Sequence, residues 1–285
     1  MVLFLVIFGL CLGSFVNALV WRVRQQSKVQ SLKSKAKKKP NTPHSVLSTE
    51  YSVLRGRSMC PNCKYELAPK DLIPVISWLF LRGKCRYCKK PISVQYPVVE
   101  LAMAVVFVVS YHFWPLEPSG GQGLLFGSWL IASVGLMALA VYDIKWMLLP
   151  NRILYPTLVV ATAGQASYII FYAADPANSF WLLALSILVA SGVFWLLFHI
   201  SKGKWIGYGD VRLGVVLGVL LASPDLAFLM IFTASVLGTL YSLPLMAAGK
   251  QKMASKIPFG PFLILGTFLV LLFGRELIDW YRNFL

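Results

Sequence analysis

The chain has 285 residues, of which 58% are hydrophobic and only 13% charged, where a soluble domain carries roughly a quarter charged residues. The apolar residues fall in long runs, which excludes an ordinary water-soluble domain and predicts a membrane protein. The formal charge of +16 raises nucleic-acid binding as a class, but the basic residues crowd beside apolar runs, where they gain from anionic lipid, and no nucleic-acid partner is expected.

A spanning helix needs about 20 mostly apolar residues to cross a core of about 30 Å. In lipid every backbone polar group must be satisfied internally, so the runs are read as helices. Eight spans are expected, near 2–21, 97–114, 127–143, 153–173, 180–200, 211–223, 226–247 and 259–280. The sixth is short and ends at Ser223-Pro224, which suits a short helix or half of a re-entrant hairpin. The first lacks a basic leader and a small-residue cleavage site, so it reads as a retained helix. The fold class is therefore an all-α polytopic membrane protein with a small loop domain between helices 1 and 2. Three regions are expected: a first transmembrane helix over 1–21, a basic linker and cysteine domain over 22–96, and a seven-helix membrane domain over 97–285.

Charge orients these spans. Of 27 Lys and Arg residues, 17 lie between Arg22 and Lys90, and the positive-inside rule puts that loop in the cytosol. Both termini then lie outside. The loops with Lys145/Arg152, Lys202/Lys204/Arg212 and Lys250/Lys252/Lys256 fall inside, and only Arg275 and Arg282 break the pattern. The run "KSKAKKK" belongs to a Ser/Lys/Pro-rich stretch over 26–50, expected as a solvated or lipid-touching linker.

Within the first loop stand Cys60, Cys63, Cys85 and Cys88, spaced C-x2-C-x21-C-x2-C. Two such pairs suit a tetrahedral zinc site. The alternative is two disulfides, which a cytosolic loop disfavours. Four thiolates leave no position for water, so the metal is expected to be structural. Cys11, alone in the first span, is expected as a small buried hydrophobe.

Most of the eleven acids fall in loops or at outer helix ends. Glu100, Asp143 and Asp210 instead fall at the cytosolic ends of spans. Acids at membrane depth are kept mainly where they pair or react. Asp143 and Asp210, from different helices at one depth, can share a proton and activate a water for peptide hydrolysis. The bland readings are a solvated loop aspartate at 210 and an interfacial Asp143 paired with Lys145. Gly207 and Gly209 let another backbone come close. Asp210, Gly214, Gly218 and Ala222 form a small-residue stripe that suits either a docked helical substrate or simple helix packing.

Several stretches in order identify a family. They are "GSFVNALVWR" (13–22), "RSMCPNC" (57–63), "GKCRYC" (83–88), "ISVQYPVVE" (92–100), "YDIKWMLLPN" (142–151), "GYGDVRLG" (207–214) and "KIPFGPFL" (256–263). The chain resembles the bacterial type IV prepilin peptidases, also called prepilin leader peptidase/N-methyltransferases. The resemblance implies an eight-helix GxGD-type intramembrane aspartyl protease of the bacterial cytoplasmic membrane. It maps the catalytic aspartates onto Asp143 and Asp210, and a site wall onto Pro258 and Gly260 beside Gly207 and Gly209. The substrates would be prepilin or pseudopilin precursors, cut after a basic leader at the cytosolic face. Family members commonly methylate the new N-terminus with S-adenosylmethionine, and Asn17, Arg22 and Glu100 match family polar positions that are candidates for that cofactor. Two alternatives stay open: a leader peptidase without methylation, and a proton-coupled transporter with a regulatory zinc ribbon.

Overall fold

The computed structural model describes residues 1–36, 57–115, 121–249 and 257–284. Lys250, Lys252, Lys256 and most of the 26–50 stretch lie outside the described residues. Among the described residues the chain is helical, with two isolated β-bridges and no strand. The helices are α1 (Val2–Ala36), α2 (Ile76–Phe80), α3 (Gln95–His112), α4 (Gly121–Trp146), α5 (Asn151–Tyr172), α6 (Pro176–Ser201), α7 (Tyr208–Leu221), α8 (Pro224–Ala247) and α9 (Gly260–Phe284). Seven of the described helices, α1, α3–α6, α8 and α9, are long and apolar enough to cross a membrane.

The structure adds detail to two expectations. The run at 211–223 forms α7, whose 14 residues extend about 21 Å at 1.5 Å per residue, short of a core of about 30 Å. It starts at Tyr208, so Asp210 lies inside its first turn. The first helix does not stop at residue 21 but continues to Ala36. Residues 22–36 contain Arg, Gln, Lys, Leu and Ala but no Gly or Pro, so nothing local ends the helix.

The chain divides into two compact units, Met1–Val108 and Val109–Leu285, with the border inside α3. In the first unit α1 packs on α3 through glycines. A Cβ on Gly9 would stand 2.7 Å from the Ala104 Cα, and one on Gly13 would stand 2.5 Å from the Glu100 Cα. Val16, Val20, Val23, Met103 and Phe107 fill the seam. Cys11 is exposed rather than buried, because it lies on an apolar helix whose core-facing side is taken by Gly9, Gly13 and Val16.

In the second unit α4 packs on α5 and α9, α6 on α7 and α8, and α8 on α9. The core includes Leu136, Leu139, Tyr142, Leu213, Leu217, Met230 and Leu263, each nearly inaccessible. The Trp129 indole N–H donates to the Ser110 hydroxyl at 2.8 Å, so its polar end is satisfied inside the unit. The small-residue stripe of α7 is filled by α6. A Cβ on Gly214 would meet the Ala190 carbonyl oxygen at 2.5 Å, and one on Gly218 the Ile187 Cα at 2.7 Å. Ser186 and Ser191 of α6 donate to the carbonyls of Gly218 (2.8 Å) and Val211 (3.0 Å). The stripe's partner is thus within the fold, and Ala222 ends α7 with a left-handed backbone.

Candidate active site and metal centre

In the second unit the two aspartates come together at helix ends. Asp143 lies in the last turn of α4 and is 5% exposed. Asp210 is the third residue of α7 and half-buried. They are close enough for their charges to act on each other.

Each carboxylate is oriented by a backbone amide at a helix start. The Gly260 N–H, at the first residue of α9, donates to Asp143. The Gly207 N–H donates to the Asp210 side chain, while the Asp210 N–H returns to the Gly207 carbonyl at 3.1 Å. Helix starts leave such donors without intrahelical partners and favour negative charge. The fold therefore uses the starts of α7 and α9 to orient two acids whose charges act on each other. Lys145 makes no pair with Asp143; its ammonium lies 5.7 Å from the Trp146 ring centre.

The glycines fit this convergence. A Cβ on Gly260 would stand 2.7 Å from an Asp143 carboxylate oxygen and 3.6 Å from Leu213 of α7. One on Gly209 would press Leu149 at 3.2 Å. Gly207 is exposed, and Pro258 is half-buried in the irregular backbone just before α9. The sequence reading missed a clamp beside the acids. Arg212 donates to the Asn151 side-chain oxygen at 2.6 Å and lies 4.6 Å from the Tyr208 ring centre. It ties the start of α5 to the start of α7. The only prior signal was Pro150-Asn151, which marks a helix start.

Asn17 and Glu100 belong to the first unit and have partners there. Asn17, 3% exposed, donates to the carbonyls of Gly13 (3.3 Å) and Tyr96 (3.1 Å) and accepts from Gln95 at 3.2 Å. Glu100, 6% exposed, accepts the Val75 N–H at 2.7 Å and the Ser14 hydroxyl. Arg22 is half-buried on α1.

Cys60, Cys63, Cys85 and Cys88 converge, all four sulfurs within 4.8 Å of one another and none in a disulfide. The Cys60 and Cys88 sulfurs are 3.9 Å apart, too far for an S–S bond of about 2.05 Å. Tetrahedral zinc with Zn–S near 2.3 Å spaces its sulfurs about 3.8 Å apart.

The two cysteine pairs are built alike, with each contact repeated 25 residues later. The Cys60 N–H donates to the Tyr65 carbonyl (3.0 Å), and the Cys85 N–H to the Lys90 carbonyl (2.9 Å). Bridges join Met59 to Glu66 and Lys84 to Pro91. Lys64 and Lys89 both turn the chain with φ near +60°. These turns aim backbone N–H groups at sulfur. Burial pushes the Cys60 thiol up, but N–H donors from Cys63 and Asn62, with the Cys63 and Cys85 thiols, outweigh it and bring its pKa down to about 7, while its neighbour Cys63 is pushed up to about 11. Anionic sulfur is the form a metal takes. Asp71 braces the second pair, accepting from Arg86 (2.6 Å) and Tyr87 (3.1 Å).

Comparison with known proteins agrees with both halves. Residues 7–114 match the Bacterial Peptidase A24 N-terminal domain, and residues 130–243 match the Type IV leader peptidase family. A Stutzerimonas stutzeri protein named "Prepilin leader peptidase/N-methyltransferase" is 30% identical over 284 residues, covering 99% of this chain and 94% of that protein. One of the same name from Dichelobacter nodosus is 30% identical over 291 residues, covering 99% and 95%. Another from Bacillus subtilis is 31% identical over 230 residues, covering 81% and 87%. No solved structure matches the chain. With full-length relatives at this identity and two matching domains in order, the chain belongs to the prepilin leader peptidase/N-methyltransferase family.

Proposed function

We propose that the chain is an intramembrane aspartyl endopeptidase that removes the basic leader of type IV prepilin-like precursors, with Asp143 and Asp210 as its catalytic pair. The observation that carries this reading is the meeting of the two carboxylates at the ends of α4 and α7, each oriented by a helix-start amide. One carboxylate, ionised, takes a proton from water as it attacks the scissile carbonyl. The other, protonated, delivers its proton to the departing amine. Gly207, exposed just before α7, leaves room for the substrate backbone, Gly209 makes way for Leu149 and Gly260 for the Asp143 carboxylate, and Pro258 adds to the site wall. The transporter alternative needs acids strung along a pathway, and it leaves this paired placement without a purpose.

The orientation belongs to the same proposal. The basic region after α1 lies in the cytosol by the positive-inside rule, and α7, buried among its neighbouring helices, completes an eighth crossing. A precursor's basic leader then stays in the cytosol while its apolar helix occupies the bilayer, and the bond between them reaches the acids. Cys60, Cys63, Cys85 and Cys88 would hold one zinc ion, which supplies fold rather than chemistry because all four positions are filled by sulfur. The sulfur spacing and the N–H donors around Cys60 support zinc there.

The relatives' names carry N-methylation, and we extend it to this chain with S-adenosylmethionine as methyl donor. A second reading, leader removal without methylation, is favoured by the partners of Asn17 and Glu100, whose polar atoms are engaged within the chain. These residues frame the α1–α3 seam.

The deciding experiment mixes the purified chain with a prepilin in lipid. Leader removal is followed by gel, and the product's N-terminal mass is measured with and without S-adenosylmethionine. Cleavage lost in Asp143→Asn and Asp210→Asn is expected. Full cleavage by either variant overturns the catalytic assignment, and a cleaved product that never gains a methyl group decides for the second reading.

A further inference from the structure

Between the two cysteine pairs runs an apolar stretch, Leu72 to Leu81, that the metal centre does not use. Its outward face is organised. Ile76, Leu79 and Phe80 follow i, i+3, i+4 spacing on α2, with Ile73 one turn before. They are 50%, 60%, 84% and 45% exposed respectively. Trp78 turns the other way: its N–H donates to the Ile92 carbonyl at 3.3 Å, and its ring fills the space where a Cβ on Gly83 would stand, at 2.9 Å. The inward anchor fixes which side chains remain outside.

The stretch is also held at a defined level along α3. The Val75 N–H donates to Glu100 at 2.7 Å. Val75 itself has φ +60°, a strained conformation for a β-branched residue that this contact helps to hold. Glu100 is the sixth residue of α3, about 7.5 Å from its start. The 18 residues of α3 measure about 27 Å, so crossing a core of about 30 Å takes the whole helix. Val75 therefore stands within about 10 Å of the bilayer boundary, the depth to which interfacial helices bury an apolar face, and Ile76 begins α2 beside it. Charge matches that location. Residues 57–93 contain eight basic and two acidic side chains. Both acids are engaged, Glu66 by Arg57 and Asp71 by Arg86. Lys70, Arg82, Lys84, Lys89 and Lys90 are exposed on either side of the apolar stretch.

We propose that the Ile73–Ile76–Leu79–Phe80 face seats in the headgroup–acyl boundary of the bilayer that the chain spans, with the flanking lysines and arginines on anionic headgroups. Interfacial helices combine an apolar face set at this depth with a cationic rim, and the continuity of this face with α3 brings it to lipid without a separate partner. Its role is to fix the cysteine domain against the membrane surface.

The test places a photoreactive benzophenone side chain at residue 80 of the full chain, and at residue 76 in a second variant in case the first does not fold. Each is reconstituted in nanodiscs of phosphatidylcholine alone or with phosphatidylglycerol, and adducts are read by mass. The expected result is lipid adducts at both positions, several-fold more abundant with phosphatidylglycerol, and lost in Leu79→Asp. Absence of lipid adducts from folded protein overturns the proposal, as do equal yields in the two lipids. Crosslinking to an added prepilin in place of lipid also overturns it, and makes the face a protein-docking surface instead.

Discussion

The cysteine domain and the aspartate site are both convergences of four or fewer side chains, yet they are held by different forces. Within residues 57–93 the buried apolar side chains are Cys60 and Cys85, so little core holds the sulfurs together. The acids instead stand on α4 and α7, whose packing buries Leu139, Tyr142, Leu213 and Leu217, and α9 adds Leu263. A site built on packed helix ends is defined before any ligand arrives. A site built on turns without a core takes its stability from what it binds. The two regions should therefore respond differently to the same kinds of insult.

The sharpest contrast is chemical. Asp143→Asn and Asp210→Asn should each lower leader cleavage by about 10²–10⁴-fold, the range of acid–base contributions, without loosening either region in hydrogen exchange. Metal removal should do the reverse. Apparent binding free energies in zinc-finger peptides are about 10–16 kcal/mol, so chelation should abolish exchange protection across 57–93 while α4–α9 keep theirs. Protection in 57–93 that survives chelation would mean that the turns stand alone. Packing changes come next. Gly218→Ala puts a Cβ 2.7 Å from the Ile187 Cα, where backbone has to move, and overpacking of this kind costs about 1–3 kcal/mol. Thermal melts followed in the second unit should shift down while metal content stays at wild-type level. Gly260→Ala drives a Cβ against Asp143 and should lower kcat more than it shifts the melt, because it displaces a reacting group.

Some of this was legible in residues and some was not. The cysteine spacing announced its convergence because tetrahedral thiolate sites need closely spaced pairs. The 25-residue repeat of the turns was hidden, since apart from the cysteines, the lysine after each pair and the arginine before it (Arg57 and Arg82) the two copies share backbone rather than side chains. Asp143 and Asp210 stood out as acids at the ends of apolar runs. The donors that orient them did not, because a backbone N–H from Gly207 or Gly260 has no side-chain signature. The spacing of Gly214 and Gly218 signalled a close approach but not its partner, and only the fold brings Ser186 and Ser191 of α6 there. The full length of α1 was not legible, because hydropathy ends near residue 21 while helix-forming residues continue to Ala36.

The smallest expected effect probes how much of the cysteine domain rests on anything besides metal. The Asp71 carboxyl is 3% exposed and accepts from Arg86 at 2.6 Å. Burial pushes its pKa up, but Arg86, Tyr87 and the Ala68 N–H outweigh it and hold it below the usual carboxylate range. A lowered folded-state pKa stabilises above the unfolded value and is lost as pH falls through the folded one. Because Arg86 is partly in water, the contribution should stay at the surface ion-pair scale of up to about 1 kcal/mol, roughly fivefold in metal retention. Asp71→Asn should therefore lose zinc to a competing chelator about fivefold more readily at neutral pH. The two proteins should converge as the pH drops below Asp71's own titration. Equal retention at neutral pH would mean that the thiolates and the metal alone hold these turns, and the contrast with the packed aspartate site would then be sharper than the Asp71 contacts imply.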